Sequence, residues 1–225
     1  MTSSPPTGFP VVLAAPSGAG KTTIARRLAA ECEMFTFSVS VTTRDARSGE
    51  VHGVDYLFVD EAEFRRMISD GELAEWAEVH GMLYGTPRQK LEEASDRGER
   101  SLLDIDVQGA RQIRQAVPSS RLVFILPPSA EVLLSRLRGR GTEGRAQLRR
   151  RLLTARGELQ AVGEFDFVLV NDDLDRAVEA VRSFVEDAAA GSPGVEIHEE
   201  RVTALRDAVD AILRDEFGEG IDNRR

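Results

Sequence analysis

An α/β fold, a parallel sheet core flanked by helices and interrupted by a β-rich insertion, is what this sequence predicts, and three observations carry the expectation. Short apolar runs alternate with segments of helical period along most of the chain, the pattern of strands joined by crossover helices. The first apolar run, residues 9–15, passes through a glycine-rich turn straight into a helical pattern. Between about residues 37 and 85 that rhythm gives way to a polar, turn-prone, β-rich stretch.

Taken in order, residues 10–15 read as a buried strand, and the helix beyond the glycine-rich turn runs to about residue 31. Residues 37–41 are short and β-rich, 42–53 polar and turn-prone, and 56–59 a strand. Phe64, Met67 and Ile68 share one face of a helix over 61–70 that Gly71 ends. Residues 73–79 alternate as a strand does, and 81–85, bounded by two glycines, reads as a turn. A helical pattern over 87–97 stops at Gly98, and a buried strand at 101–106 ends in two acids. A helix follows at 107–117, then a fully apolar strand at 122–126 closed by Pro127 and Pro128, then a helix at 131–137. Residues 138–142 break the pattern ahead of a long basic helix at 148–162. The last core strand is 167–170, with helices at 174–190 and 201–217.

The bulk numbers bound the function. At 225 residues, 41% apolar and 30% charged, the chain fits one soluble domain with a small lid or appendage. A net charge of −9 argues against a general nucleic-acid or membrane surface, so any anion site must come from locally clustered arginines. The single cysteine, Cys32, excludes an internal disulfide and fits a reducing cytoplasm. No apolar stretch approaches the roughly 18 residues of a membrane span. Residues 1–8 lack a basic region and an apolar core, so they read as a short disordered lead-in rather than a signal peptide. His52, His80 and His198 are scattered without metal-ligand spacing.

Ala15-Pro16-Ser17-Gly18-Ala19-Gly20-Lys21-Thr22 carries the most chemistry. Between a strand and a helix, small residues let backbone N–H groups curl around a triphosphate at the positive end of the helix dipole, as in a P-loop. Lys21 would reach the β- and γ-phosphates, and the Thr22 hydroxyl would ligand Mg²⁺. Lys21 is one of only two lysines, with Lys90, among 29 basic residues, which fits a need for a compact ammonium. Leu102-Leu103-Asp104-Ile105-Asp106 resembles a Walker B strand, which delivers a carboxylate to the metal shell. Arg44 and Arg47, three apart, suit forked bonds to one phosphate, and the only tyrosines, Tyr56 and Tyr84, fall in the same segment. Alone, those arginines and Glu75 would read as ordinary surface charges.

Residues 15–23, Ser38-Val39-Ser40-Val41-Thr42-Thr43-Arg44-x-x-Arg47-x-Gly49-Glu50-x-x-Gly53-x-Asp55-Tyr56 and Tyr84-Gly85-Thr86 closely resemble guanylate kinases. Leu103-Asp104-Ile105-Asp106-x-Gln108-Gly109, Leu137-Arg138-Gly139-Arg140-Gly141 and Val170-Asn171-Asp172-Asp173 complete a match over roughly residues 9–190. The resemblance implies the reaction ATP + GMP ⇌ ADP + GDP with Mg²⁺. It implies that Arg44, Arg47, Tyr56 and Tyr84 grip the GMP phosphate and that Ser40, Glu75, Thr86 and Asp106 read guanine. It further implies that Ala15, Pro16, Ser17, Gly18, Ala19, Gly20, Lys21, Thr22, Thr23 and Asn171 hold ATP. Thr22 and Asp104 serve the metal, Asp104 through water, and Lys21, Arg44, Arg136, Arg140 and Arg151 act in catalysis. A GMP-binding region at about 37–90 and a lid at about 138–160 follow, within a domain at 9–190. Base chemistry agrees: a carboxylate at Glu75 accepts from guanine N1–H and N2, while hydroxyls at Ser40 and Thr86 donate to O6 and N7. Adenine inverts that pattern, a mismatch worth about 10⁴-fold.

The lid departs from the family at Gly144-Arg145-Ala146-Gln147, followed by Arg149-Arg150-Arg151, so which of the three arginines faces the phosphates is open. In the extension 191–225, Val202, Leu205, Val209, Ile212 and Leu213 recur at helical spacing. That helix either packs on its own domain or forms a seam between copies. Two other readings stand beside the kinase: one acting on a different phosphate-bearing acceptor, and a non-catalytic guanylate-kinase-like binding module. A GTPase lacks its Asn-Lys-x-Asp motif here.

Overall fold

The computed structural model describes residues 8–79, 81–139, 144–189 and 199–218. They divide into two compact units, one built from the residues up to Ala14 with Ala25–Leu122, the other from Ala15–Ile24 with those from Val123 on.

In the first unit, β1 (Phe9–Ala14), β2 (Phe35–Phe37) and β7 (Arg100–Asp104) are parallel in the order β2-β7-β1, with Phe9 opposite Arg100 and Leu13 opposite Asp104. Val11, Val12, Leu13, Leu102 and Leu103 are buried, the apolar signature of a strand covered on both faces. Gly8, assigned above to a disordered lead-in, belongs to this unit. Its N–H donates to the Ser95 carbonyl (3.1 Å), the Ser95 hydroxyl donates back to the Gly8 carbonyl (3.0 Å), and a Cβ on Gly8 would strike the Glu99 backbone. Residues 1–7 lie outside the described residues.

A second sheet in this unit runs β4-β3-β6-β5, from β3 (Val41–Thr42), β4 (Leu57–Phe58), β5 (Leu73–Val79) and β6 (Met82–Pro87). Helix α2 (Glu61–Ser69) packs below it, placing Phe64 with Val41, Leu73 and Leu83 and flanking them with Met67 and Ile68. Asp60 starts α2 by accepting the Glu63 N–H at 2.8 Å. The turn read at 81–85 is instead a tight turn at Gly81, φ 84°, followed at once by β6. Gly85 is a strand residue, glycine because a Cβ would meet Leu73, Phe64 and the Glu75 carbonyl oxygen. Helices α3 (Arg88–Asp96) and α4 (Val107–Ala116) complete the unit, and α4 packs on β5. The strand read at 101–106 ends at Asp104; Asp106 caps α4.

The second unit contains β8 (Arg121–Leu126) from Val123 on, parallel to β9 (Phe167–Val170), with Val123 opposite Phe167 and Leu126 opposite Val170. Its helices are α5 (Ala130–Arg138), α6 (Arg145–Gln160), α7 (Leu174–Ala189) and α8 (Glu199–Phe217). α1 (Lys21–Glu31) begins in this unit. Phe167 of β9 stacks on Phe184 of α7 at 4.8 Å. α8 turns buried Val202, Leu205, Val209 and Leu213 onto its own chain, packing against α6 and α5. Arg156–Asp210 (2.7 Å) and Arg138–Glu216 (2.5 Å) tie the same helices.

Candidate active site

The glycine-rich turn of the second unit is shaped by its two glycines. Gly18 and Gly20 adopt φ of 93° and 96°, the region L side chains avoid, and the Ala19 N–H closes a turn onto the Pro16 carbonyl at 3.0 Å. The chain then enters α1 at Lys21, whose first backbone N–H groups lie at the positive end of the helix dipole. Three side chains from distant positions brace the turn. Asn171, at the end of β9 and only 7% exposed, donates Nδ2–H to the Ala19 carbonyl at 2.7 Å. Arg136 of α5 donates to the Gly18 and Ala19 carbonyls at 3.3 and 3.4 Å. Arg151 of α6 donates to the Ser17 hydroxyl at 2.7 Å. A Cβ on Gly20 would collide with the Asn171 amide, so glycine is needed for space as well as for φ. A cleft of about 530 Å³ opens here between Gly18, Gly20, Thr23, Arg136, Asn171 and Leu174.

Of the three adjacent arginines of α6, Arg151 is hydrogen-bonded to the glycine-rich turn, while Arg150 is exposed. Arg140 lies outside the described residues. Thr22 and Thr23 are exposed at the start of α1, with Lys21 half-buried beside them.

The first unit gathers the other expected residues. Glu75 on β5 is 4% exposed, and Thr86, its register partner on β6, is fully buried and donates Oγ1–H to Glu75 Oε1 at 2.6 Å. A carboxylate only accepts, so the single hydroxyl proton of Thr86 is committed to Glu75. In this structure that hydroxyl orients the Glu75 carboxylate. Ser40 is buried between β2 and β3, its carbonyl accepting the Leu57 N–H at 2.8 Å. Asp106 accepts the Gly109 N–H at 2.8 Å as the cap of α4, and Asp104 ends β7 half-buried.

Arg44 lies beside an aromatic wall, its guanidinium 5.2 Å from the Tyr56 ring centre and 5.7 Å from that of Phe58, with Tyr84 edge-on to Tyr56 at 6.1 Å. Glu50, which sequence reasoning passed over inside its own motif, takes both Nη groups of Arg44 in a fork at 2.9 Å each. Glu50 also accepts the Arg47 backbone N–H at 2.7 Å. Hydrogen bonding to Arg44 holds the Glu50 carboxyl below its ordinary range, and that bond, with lesser help from Tyr84, holds Arg44 above its own. Arg44 Nε is buried with no hydrogen-bond partner among the described residues, a donor left over on a guanidinium whose two Nη groups are taken by Glu50. The Arg47 side chain is exposed, and its backbone N–H shares the Glu50 carboxylate with Arg44. Gln112 was also missed; its amide accepts from the Trp76 N–H (3.1 Å) and donates to the Trp76 carbonyl (2.7 Å). A surface glutamine carries no sequence signal for that.

The guanylate kinase family model matches residues 7–188. A guanylate kinase from Oleidesulfovibrio alaskensis is 51% identical over 179 residues, covering 80% of this chain and 87% of that protein. One from Corynebacterium efficiens is 46% identical over 185 residues, covering 81% and 97%. Among solved structures, the guanylate kinase of Anaplasma phagocytophilum superposes with a TM-score of 0.68 at 33% identity, covering 96% of this chain and 98% of that one.

Proposed function

This chain belongs to the guanylate kinase family, and from that premise we propose how its residues perform the family's reaction, ATP + GMP ⇌ ADP + GDP. The observation that carries the assignment is the buried Glu75 carboxylate held by Thr86, a preset acceptor that pairs with guanine N1–H and N2 and meets a bare lone pair in adenine. Ser40 and Asp106 complete the base site. The GMP phosphate is taken by Arg44, through its unclaimed Nε–H, with Tyr56, Tyr84 and Arg47 around it.

ATP is held by the glycine-rich turn, residues 15–23, with Lys21 on the β- and γ-phosphates and Asn171 at its edge. Arg136 and Arg151, already directed onto that turn, and Arg140 between them in sequence neutralise the charge that grows on the transferring group. An oxygen of the GMP phosphate attacks the γ-phosphorus in line. It is anionic already, so no general base is needed, and the work of the protein is positioning and exclusion of water.

For the metal, the donor chemistry fits Mg²⁺. Thr22 offers a hydroxyl and Asp104 a carboxylate, hard oxygen donors too few to bind a cation alone but sufficient for one that arrives on nucleotide phosphates and keeps its waters. Among the described residues no group of three acids, histidines or cysteines forms a ligand cage. When bound, Mg²⁺ supplies charge neutralisation at the phosphates.

No described helix is long and apolar enough to cross a membrane, and a cytoplasmic setting, which suits a chain with one cysteine, is part of the proposal. The test is ADP release from ATP·Mg²⁺ with GMP, AMP, CMP, UMP or dTMP, run beside Glu75→Gln. Turnover with GMP alone, diminished in the variant, is expected. Turnover with another acceptor would move the substrate, and none with any acceptor would leave a binding module.

A further inference from the structure

Gly109 lies within α4, yet its backbone is ordinary right-handed helix. Glycine there is a cost, because alanine is the better helix former and no left-handed conformation demands the exception. What the position lacks is space. A Cβ on Gly109 would lie 2.6 Å from Glu75 Oε2 and 3.2 Å from both Glu75 Cδ and Ile105 Cδ1. The first distance is one that real contacts do not reach. Thr86 holds the other carboxylate oxygen, Oε1, at 2.6 Å. Glu75 is thus set between a hydroxyl on one oxygen and the bare backbone of α4 against the other.

The same helix fixes the strand that carries Glu75. β5 is an edge strand of its sheet, so outward backbone groups there have no neighbouring strand. One turn beyond Gly109, Gln112 supplies both a donor and an acceptor to Trp76, the residue after Glu75, at 2.7 and 3.1 Å. Asp106 caps the helix through the Gly109 N–H itself. Cap, glycine and glutamine therefore hold β5 and its carboxylate in one register on α4.

We propose that Gly109 is a positioning residue for guanine selection, acting through Glu75: the missing side chain lets the carboxylate sit where both its oxygens address the base edge. The proposal rests on the assignment of Glu75 to guanine, and the experiment separates the two. Gly109→Ala, Glu75→Ala and the double variant are compared by KM for GMP and for ATP, and by calorimetric affinity for GMP without ATP. In Gly109→Ala, KM and Kd for GMP are expected to rise about tenfold or more, the loss of a charge-assisted contact. KM for ATP should stay within about twofold, and adding Gly109→Ala to Glu75→Ala should cost nothing further, since the Cβ then meets no carboxylate. Gly109→Ala combined with Glu75→Asp, whose shorter acid vacates the space, should recover part of the loss and serves if the single variant folds poorly. Unchanged GMP affinity in Gly109→Ala, or additive losses in the double variant, would overturn the proposal while leaving Glu75 in place. Unchanged GMP affinity in Glu75→Ala would remove the guanine assignment itself.

Discussion

Arg44 and Glu50 show how one residue's chemistry is set by a neighbour. A guanidinium forked by a carboxylate, flanked by Tyr56 and Phe58 and half-buried, is oriented before any substrate arrives. Arg44→Ala is expected to weaken GMP by about 2–4 kcal/mol, read from KM, because it removes a desolvated charge-assisted contact. An unchanged KM would take Arg44 out of the acceptor site. Glu50→Gln gives a pH signature. The folded-state pKa of Glu50 is depressed, so the stability it contributes is present above the ordinary carboxylate range and lost as pH falls through the lowered value. In urea melts, parent protein should exceed Glu50→Gln by a constant margin from pH 7 to about pH 5, and that margin should shrink below it. A margin that widens on acidification would mean the pair does not stabilise the fold. The sequence could name Arg44 through its motif, but not its partner, since Glu50 sits six residues on across a turn that periodicity does not describe.

At the scale of elements, legibility followed the period of each segment. α2 was readable because Phe64, Met67 and Ile68 mark one helical face, and that face does cover the second sheet. β6 was not, because Gly81 and Gly85 look alike in sequence although only Gly81 turns the chain; Gly85 answers to packing from β5 and α2, which lie at other positions in the chain. Arg151 became assignable once α6 was seen to start at Arg145. Its buried stripe of Leu148, Leu152, Ala155 and Leu159 places Arg151 on the same side, three residues after Leu148 and four before Ala155. For α8, sequence favoured packing on its own domain over an oligomer seam, and the structure places Val209, with no exposed surface, against its own chain. Val209→Asp should therefore destabilise by about 3 kcal/mol or more through an uncompensated buried charge. The melting temperature should fall equally at low and high protein concentration; a loss confined to high concentration would instead mark the helix as a seam.

Over the whole molecule, the parts proposed for the two substrates fall in different compact units: the turn that takes ATP with Ala15–Ile24, the acceptor side chains within Ala25–Leu122. A net charge of −9 makes this division useful, because neither anionic substrate is drawn in by the protein as a whole. On the proposed assignment each is held by its own cluster of donors, the Lys21 cradle with Arg136 and Arg151 for one, Arg44 and its aromatic wall for the other. Phosphoryl transfer adds nothing covalent from the protein, so affinity for each substrate and rate are separable. Lys21→Ala is expected to abolish turnover while calorimetric affinity for GMP stays near that of the parent. Arg44→Ala is expected to do the reverse to binding, losing GMP and keeping a non-hydrolysable ATP analogue. If either substitution weakened both ligands alike, the lesion would lie in the fold shared by the units, and neither residue could be credited with its substrate.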